Sequence, residues 1–428
     1  MDSLLHKATR QHTKTHNSRL VLRTIYDCGQ ISRAELARLT QLTRATISEV
    51  VADLIRQGLV EEVGYGATAV GRTPMLLSVV ANSRQLIGID IANGELRAAI
   101  VNLRGQLGEC IRLSLRDVDG EAIVTLLYEA VDQLVRQTSS PLLGIGIGVP
   151  GLVDTAGGGV RSAVNLGWYN LPLRDLMQSR YELPVSIAND SHLAALAEYT
   201  FGSHPGEHVV VLLTGRGIGA GIVLNGQIFL GDTGGAGEIG HVVVVEQGQL
   251  CRCGNTGCLE TVASSRAIIE RARALAAAHS DSPLHRIAAQ EITLEQIEQA
   301  VVADDAAARQ VIAEVGRYLG IAVAHVVGIL NIRRIVIAGQ VTIFGAPLLH
   351  AIREEVATRT LSILAHETEI QLAQLGPDAV VLGASALLLT SELGLIRFSS
   401  PAPLQQPAAL PFDAQAVAAL QPIYAKGG

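Results

Sequence analysis

One imidazole and three thiols are spaced in the sequence as metal ligands usually are. His241 is followed after nine residues by Cys251, and Cys253 and Cys258 come close behind it. Three soft thiolates and one imidazole suit a tetrahedral zinc ion, and glycines in the loop allow the chain to fold around it. Four protein ligands leave no open position for a metal-activated water, so we expect one structural zinc ion per chain. The alternative is three unbound thiols on a loop, which a reducing compartment permits.

Carboxylate and amide side chains stand on both sides of this loop. Glu238 comes just before the metal-ligand pattern, and Glu260 comes just after it. Two carboxylates positioned by a metal loop are suited to gripping vicinal hydroxyls, whereas either one alone is commonly a solvated surface charge. Asn189 and Asp190 end a predicted strand and open an apolar helix, where α/β folds keep their ligand crevice. The alternative for this pair is a helix cap, and a cap can also bind a ligand.

Two further features are less specific. The run 214–221, Thr-Gly-Arg-Gly-Ile-Gly-Ala-Gly, resembles a phosphate-binding loop. A chain with 43 glycines produces such runs by chance, however, and a tight hairpin also requires them. Trp168 is the only tryptophan and lies near Asn165. It could stack on a pyranose ring, but core packing is the interpretation that we favour.

Strands that alternate with helices must position these residues. Downstream of the N-terminal region, short β-rich runs alternate with helical stretches, which predicts a layered α/β architecture. Segments 87–106 and 210–227 share a pattern of strand, small-residue turn, strand and turn, which predicts a duplicated lobe with a cleft between the copies. We expect one domain over residues 85–395, with lobes at about 85–190 and 191–395. The predicted strands are Leu86–Ile91, Arg97–Val101, Leu143–Val149, Val185–Ala188, Val209–Leu213 and Ile335–Ala338.

Residues 1–80 have the pattern of a winged helix-turn-helix domain. Ser32 is placed to cap a short helix over Arg33–Leu39. After a polar turn, Thr43 is placed to cap a second helix over Arg44–Gln57. Two β-rich runs separated by glycine-rich turns then predict a wing.

The charge of the chain is unevenly distributed. The net charge of −7 over 428 residues argues by itself against a nucleic-acid partner. Residues 1–80, however, hold ten Lys and Arg against seven Asp and Glu, a net charge of +3, so the other 348 residues carry −10. A basic head on an acidic body is expected of a DNA-reading module joined to another domain, and a helical bundle that binds protein is the alternative. The expected DNA contacts are Arg44, Thr46 and Ser48 in the major groove, Arg72 in the wing, and Lys7, Arg10, Lys14 and Arg19 on phosphates.

Composition excludes several other classes. A chain with 48% hydrophobic residues is long enough for two to four domains and is not generally disordered. It has no run of about 18 uncharged apolar residues, and its N-terminus lacks the apolar core of a signal sequence. We therefore expect a cytoplasmic protein without a membrane segment. Residues 398–428 are rich in proline, which predicts an extended or docked tail.

These motifs, in this order, resemble the ROK family of repressors, uncharacterised reading frames and sugar kinases, in its winged helix-turn-helix branch. The resemblance spans roughly residues 15–390 and is most specific at 238–241 and 251–260, which read Glu-x-Gly-His and Cys-x-Cys-Gly-x-x-Gly-Cys-x-Glu. It implies an actin- and hexokinase-like fold with two ribonuclease H-like lobes, and a His241 that gives one nitrogen to zinc and the other to a monosaccharide. The sugar-binding residues that it implies are Asn165, Asn189, Asp190, Glu238, His241 and Glu260.

Two loops depart from the pattern of the kinases in this family. The kinases carry Asp-x-Gly-Gly-Thr for the ATP phosphates, but residues 90–94 read Asp-Ile-Ala-Asn-Gly. Side chains at Ala92 and Asn93 stand where backbone amides approach phosphate, and the threonine hydroxyl is missing. The loop for adenosine is altered as well, because residues 337–340 read Ile-Ala-Gly-Gln in place of three glycines. We therefore predict that the protein is not an enzyme; in the alternative, an ATP-dependent hexose kinase with a DNA-binding head, Asp190 is the general base.

The sequence as a whole predicts a sugar-responsive transcriptional regulator, a repressor of carbohydrate-metabolism genes. One recognition helix reads only a few base pairs, so we expect a homodimer on a palindromic double-stranded operator, with a tetramer as a further option. Sugar binding is expected to close the lobes and to change the spacing of the two recognition helices. The expected location is the cytoplasm, in association with the nucleoid.

Overall fold

The structure is a computed structural model that describes residues 10–66, 73–92, 94–155, 157–202 and 208–395. Lys7, Arg72, Asn93 and the proline-rich tail lie outside these residues. The helices are α1 Arg10–Cys28, α2 Arg33–Thr40, α3 Arg44–Arg56, α4 Gly120–Gln137, α5 Leu173–Tyr181, α6 Asp190–Phe201, α7 Glu260–Ala263, α8 Ser265–Ala278, α9 Leu294–Val302, α10 Ala306–Leu330, α11 Gly345–Arg359, α12 Ser362–Glu367 and α13 Ala379–Leu388. The strands are β1 Ile31–Ser32, β2 Val60–Tyr65, β3 Met75–Val79, β4 Gln85–Ala92, β5 Glu95–Asn102, β6 Leu107–Ser114, β7 Leu142–Val149, β8 Leu152–Asp154, β9 Gly159–Ala163, β10 Trp168–Leu171, β11 Val185–Asn189, β12 His208–Thr214, β13 Ile218–Leu224, β14 Gln227–Ile228, β15 Arg334–Gly339 and β16 Glu369–Leu372.

The N-terminal head is a helix-turn-helix in which side-chain caps define where the helices begin. Ser32 Oγ accepts from the Glu35 N–H at 3.2 Å, and the Glu35 carboxylate accepts from the Ser32 N–H, which completes a capping box on α2. Thr43 Oγ1 accepts from the Thr46 N–H at 3.2 Å and caps α3. Both helices therefore begin where the sequence predicts.

A small sheet completes the head. Its strand order is β1-β3-β2, with antiparallel pairing throughout, which is the wing arrangement that the sequence predicts. The apolar core of the head, which includes Val21, Ile25 and Leu54, is continuous with residues at the C-terminal end of the body, among them Leu389 and Leu395. The head is therefore packed on the body.

The body contains two five-stranded sheets of the same topology. Their orders are β11-β7-β4-β5-β6 and β14-β13-β12-β15-β16. In each, the first strand in the chain is central, the next two continue it as an antiparallel meander, and the last two pair parallel on its other side. The predicted duplication is therefore confirmed. A third sheet, β10-β9-β8, is inserted between β7 and β11.

Two helices are exchanged between the sheets. α6 follows the strands of the first sheet but packs on β12 and β13, and α13 follows the second sheet but packs on β4 and β7. The two helices also pack on each other so closely that a Cβ on Gly383 would lie 1.9 Å from the Leu193 carbonyl oxygen. The predicted division of the body at residue 190 stays a prediction.

One helix among the described residues, α10, has the length and apolar composition of a membrane span. In its most apolar stretch 56% of the helix is buried, and it packs against α8, α9 and α11. Its buried side chains belong to the same apolar core as the inner face of the second sheet. We therefore interpret α10 as a core helix.

Candidate functional site

A cleft lies between the two sheets, beyond the C-terminal ends of β4, β7, β11 and β12. It holds a cavity of about 420 Å³, which is within the usual size of a small-molecule site. All six side chains that the family resemblance assigns to sugar binding line this one cavity: Asn165, Asn189, Asp190, Glu238, His241 and Glu260.

Asn189 and Asp190 are positioned by the junction between β11 and α6. Asn189 Oδ1 accepts from the backbone N–H groups of Ser191 (2.9 Å) and His192 (3.2 Å), so Asn189 is the N-cap of α6. Its amide Nδ2 donates to the Gly151 carbonyl oxygen at 3.0 Å. Asp190 Oδ1 accepts from the Ser191 N–H at 2.7 Å. The cap interpretation and the ligand interpretation thus apply together, because the cap holds both side chains at the cavity wall.

The carboxyl group of Asp190 faces the cavity but is enclosed by the cleft walls. This burial raises the pKa of Asp190 to about 6, the Ser191 N–H opposes the rise, and the negative charge of Glu238 adds to it. Asp90 lies nearby at the end of β4, and its Oδ1 has no hydrogen-bond partner among the described residues. Burial, followed by the charge of Asp190, raises the pKa of Asp90 well above its ordinary value. The base of the cleft therefore favours neutral or hydrogen-bonded carboxyl groups.

Glu238 and His241 lie on a segment that is hydrogen-bonded to β13. The Ala220 N–H donates to the Gly237 carbonyl oxygen at 2.7 Å, and a Cβ on Gly237 would lie 1.8 Å from the Ala220 oxygen, so only glycine allows this approach. Glu238 Oε2 is 3.9 Å from His241 Nε2. Burial is the main cause that raises the pKa of Glu238, and the charge of Glu260 adds to it while His241 opposes it.

Glu260 begins α7, directly after the cysteine loop. Its Oε2 accepts from the Ile218 N–H at 3.2 Å, which fastens the carboxylate to the first residue of β13. A Cβ on Gly217 would lie 2.9 Å from the same oxygen, so this glycine leaves space for Glu260. The carboxylate is therefore oriented by backbone rather than by another side chain.

His241, Cys251, Cys253 and Cys258 form a group that could bind a metal ion, since their ligand atoms all lie within 4.8 Å of one another. Cys253 Sγ is 3.6 Å from Cys258 Sγ, and Cys251 Sγ is 3.6 Å from His241 Nδ1. Tetrahedral zinc with its usual bond lengths requires about 3.8 Å between two sulfurs and about 3.6 Å between sulfur and nitrogen. The chemistry and spacing of the group therefore fit a zinc ion.

The cysteine loop reaches the opposite wall of the cleft through Arg252, which sequence reasoning missed. Arg252 Nη1 donates to Asn165 Oδ1 at 2.9 Å, and both residues line the cavity. The sequence signal that could have identified Arg252 is its position between two candidate metal ligands.

Trp168 is 3% exposed, and its Nε1 donates to the Gly120 carbonyl oxygen at 2.8 Å. The tryptophan is thus a core residue, as favoured above.

The glycine-rich run 214–221 has a packing explanation. A Cβ on Gly219 would lie 2.8 Å from Ser191 Oγ, and one on Gly221 would lie 2.0 Å from the Ser191 carbonyl oxygen. These glycines let α6 lie directly on β13. Of the altered phosphate loop, Ala92 and Gly94 line the cavity, while Asn93 lies outside the described residues.

The start of α3, to which we assign the base contacts with DNA, carries exposed side chains. Arg44 and Ser48 are exposed, and Thr46 is half-buried. The Ser48 hydroxyl donates to the Arg44 carbonyl oxygen at 2.9 Å, and the hydroxyls of Thr46 and Thr43 are hydrogen-bonded at 2.9 Å. Arg44 is therefore the longest side chain presented at this end of the helix. The predicted contact Arg72 lies outside the described residues.

Two of the predicted phosphate contacts have partners within the chain. Lys14 Nζ is 2.9 Å from Asp53 Oδ2 of α3. Arg19 Nη2 donates to the carbonyl oxygens of Ser391 (3.2 Å) and Glu392 (3.4 Å), at the C-terminal end of the body. Arg19 therefore joins the head to the body, and its role on DNA stays a prediction.

A family model matches each of the two parts of the chain. The model of the ROK family matches residues 86–391, and that of the MarR family matches residues 15–64. A xylose repressor from Caldicellulosiruptor bescii is 35% identical over 393 residues, which cover 90% of this chain and 98% of the repressor. A glucokinase from Halalkalibacterium halodurans is also 35% identical, over 323 residues that cover 73% of this chain and 97% of the kinase.

A solved structure resembles the chain over nearly its full length. It is a ROK family transcriptional regulator described as a homologue of the Escherichia coli MLC protein. The TM-score is 0.80 at 30% identity, and the match covers 90% of this chain and 98% of that one. The repressor and this regulator match the head as well as the body, whereas the glucokinase match covers a smaller part of the chain.

A winged helix packed on a duplicated, sugar-kinase-like body defines a DNA-binding transcriptional regulator of the sugar-responsive repressor class. The chain belongs to the ROK family. Membership in this class of DNA-binding repressors places the protein in the cytoplasm.

Proposed function

We propose that the protein is a repressor whose affinity for operator DNA falls when a monosaccharide binds in the cleft. The observation that carries this proposal is the convergence of six hydrogen-bonding side chains on one cavity of about 420 Å³. Three of the six are carboxylates, which accept hydrogen bonds from hydroxyls and are the groups best suited to a polyol. A xylose repressor among the relatives supports a pentose or hexose as the effector.

The carboxylates would divide the sugar hydroxyls among them. Asp190 accepts from a hydroxyl at the base of the cleft, and Glu238 and Glu260 grip neighbouring hydroxyls from the side of the cysteine loop. A charge-assisted hydrogen bond of this kind contributes roughly 1.5–3 kcal/mol. Asn189 and Asn165 add contacts from the first-sheet side of the cavity.

Zinc would act as the support of this site. His241, Cys251, Cys253 and Cys258 would hold it, with His241 using Nδ1, the nitrogen on the side of Cys251. The other nitrogen, Nε2, lies on the side of Glu238 and is available to a sugar hydroxyl. With four protein ligands the ion would be structural. It would fix the orientation of the loop and of His241.

Reading of DNA would be the task of α3. Arg44, Thr46 and Ser48 face the major groove, and Arg72, Lys14 and Arg19 are assigned to the wing and phosphate contacts. We propose a homodimer on a palindromic operator within the nucleoid, because one such helix distinguishes only a few base pairs. A coupling of ~1–3 kcal/mol between sugar and DNA, the usual allosteric range, corresponds to a five- to 150-fold change in DNA affinity.

We also propose that the cleft does not transfer phosphate from ATP. Ala92 replaces a glycine of the phosphate loop, and Gln340 replaces a glycine of the adenosine loop. A coupled assay with ATP, magnesium and a hexose panel tests this, and we expect no turnover above roughly 1 s⁻¹. If turnover exceeds that value and is lost in Asp190→Asn, the protein is a hexose kinase. Two observations support this alternative, the glucokinase relative and the buried carboxyl group of Asp190.

Calorimetry against D-xylose, D-glucose and N-acetylglucosamine tests the proposed function itself. We expect one sugar to bind with one site per chain, and Glu260→Gln to weaken it at least tenfold. Glu270→Gln, on the exposed face of α8, is the matched control and should leave binding unchanged. Absence of binding by every sugar to a zinc-loaded, folded chain would contradict the proposal.

A further inference from the structure

One hydrogen bond joins the two walls of the cleft at the cysteine loop. Arg252 belongs to the segment between the second sheet's β14 and α7, and Asn165 belongs to the insertion between β7 and β11 of the first sheet. Their side chains meet at 2.9 Å although the residues are 87 positions apart in the sequence. Both line the cavity, so the contact joins two parts of its wall.

We propose that Arg252 is a positioning residue that latches the cleft around the sugar and orients Asn165 toward it. The proposal rests on the proposed sugar-binding function of the same cavity. Neither the predicted ligand set nor the predicted sugar contacts assign a role to this arginine.

Both ends of the latch are held by rigid structure. Arg252 lies between two candidate metal ligands, and the Cys251 N–H donates to the Asn255 carbonyl oxygen at 2.7 Å, which closes the loop around it. Asn165 lies in a single turn, 164–166, and the buried, hydrogen-bonded Trp168 is the second residue after this turn. A long side chain between two anchored backbones gives the contact a defined length.

The polarity of the bond determines which atom of Asn165 the sugar meets. The guanidinium has only donors, so the amide must present its Oδ1 to Arg252. The amide Nδ2 is then left to donate to a sugar hydroxyl oxygen. Arg252 would thus act on the sugar through the orientation of Asn165.

The bond is suited to a reversible closure. Both residues are exposed to water, and a guanidinium paired with a neutral amide does not bury a charge pair. Opening the cleft therefore costs little, while a bound sugar that touches both walls adds to the closed form. This behaviour is what a sensor requires, since the sugar must shift an equilibrium between two arrangements.

A double-mutant cycle on sugar affinity tests the latch. Wild type, Arg252→Ala, Asn165→Ala and the double variant are titrated calorimetrically with D-xylose, D-glucose and N-acetylglucosamine, after metal content and melting temperature show that each is folded. We expect Arg252→Ala to weaken binding about tenfold, and to have almost no further effect when Asn165 is already alanine. Arg266→Ala, an exposed arginine on α8, is the control. Independent, multiplying losses would overturn the latch, as would wild-type affinity in Arg252→Ala.

A second readout does not depend on any sugar. Trp168 is the only tryptophan, so 5-fluorotryptophan labelling gives one fluorine resonance from the insertion that carries Asn165. We expect Arg252→Ala and Asn165→Ala to shift or broaden this resonance alike, the double variant to match either single one, and Arg252→Lys to restore it in part. An unshifted resonance in Arg252→Ala would overturn the latch. If no sugar binds wild type, the proposed function fails while the fluorine measurement still decides the latch.

Discussion

The cleft and the head both carry charged side chains to which we assign ligand contacts, but they hold these side chains in different ways. In the cleft, Asp190 and Glu260 are fastened by backbone N–H groups and enclosed by the walls. In the head, Lys14 is paired with an aspartate, and Arg19 is bonded to carbonyl groups of the body. The side chains of the cleft are therefore preorganised, whereas Lys14 and Arg19 would have to leave these partners before they could contact DNA.

This difference predicts different energetics for the two sites. Enclosed carboxylates interact strongly with a hydroxyl and are weakly screened by salt, so single substitutions there have large effects. Exposed cations contribute to DNA binding through phosphate neutralisation, which falls steeply with salt and is shared among many residues. Substitutions in one site should leave the other unchanged when its ligand is absent.

The largest effect is expected from the cysteine loop. Cys253→Ser should release the metal and lower sugar affinity by more than about 100-fold, because Glu238, His241 and Glu260 all adjoin the loop. Metal analysis and calorimetry check this, with the exposed Cys110→Ser as the control. If the metal-free variant kept its sugar affinity, sugar binding would not depend on the metal and the prediction would be contradicted.

A smaller effect is expected from one enclosed carboxylate. Glu260→Gln removes a charge but keeps the shape, and it should weaken sugar binding about 10- to 100-fold. Affinity for DNA without sugar should stay within twofold of wild type. Equal losses for sugar and DNA would instead indicate misfolding, which a melting curve would reveal.

In the head we expect a still smaller effect. Arg44→Ala should weaken DNA binding about tenfold and flatten discrimination between operator and random DNA. Arg19→Ala should change that affinity less, because its guanidinium is bonded to Ser391 and Glu392. Fluorescence anisotropy at several salt concentrations measures both. If Arg19→Ala reduced the salt dependence of DNA binding more than Arg44→Ala does, Arg19 rather than Arg44 would be the DNA contact.

The smallest effect is expected from pH. Burial raises the pKa of Asp190 to about 6, so this group is mostly a carboxylate at pH 7.5 and mostly neutral at pH 5.5. A neutral carboxyl accepts hydroxyl hydrogen bonds less well, so sugar affinity should fall about fourfold over this interval. The raised pKa of Glu238 acts in the same direction. Asp190→Asn should flatten the dependence, and affinity that rises on acidification would contradict it.

The same contrast explains what the sequence could predict. The caps at Ser32 and Thr43 and the cysteine loop are formed by residues that are close together in the sequence. Short motifs were therefore sufficient to predict them. The repeated strand pattern likewise predicted two similar sheets. Residue type was informative in the cleft because enclosed amides and carboxylates need specific partners.

Long-range partners could not be predicted in this way. Arg19 meets carbonyl groups 372 and 373 positions away, and Arg252 meets an amide 87 positions away. The exchange of α6 and α13 between the sheets also depends on packing. Glycines at 221 and 383 permit the close approach of a helix, but a glycine in the sequence does not indicate which helix will approach it. Basic residues are numerous and accept many partners, so their spacing alone did not distinguish a DNA contact from a contact within the chain.

The most direct test is a titration of the protein–DNA complex with sugar. Labelled DNA from upstream of its own coding region is bound by the full chain, and D-xylose, D-glucose and N-acetylglucosamine are added in turn. We predict that one of them lowers the affinity for DNA between five- and 150-fold in wild type and has little effect in Glu260→Gln. Specific DNA binding that no sugar changes, while a hexose is phosphorylated with ATP, would contradict the account.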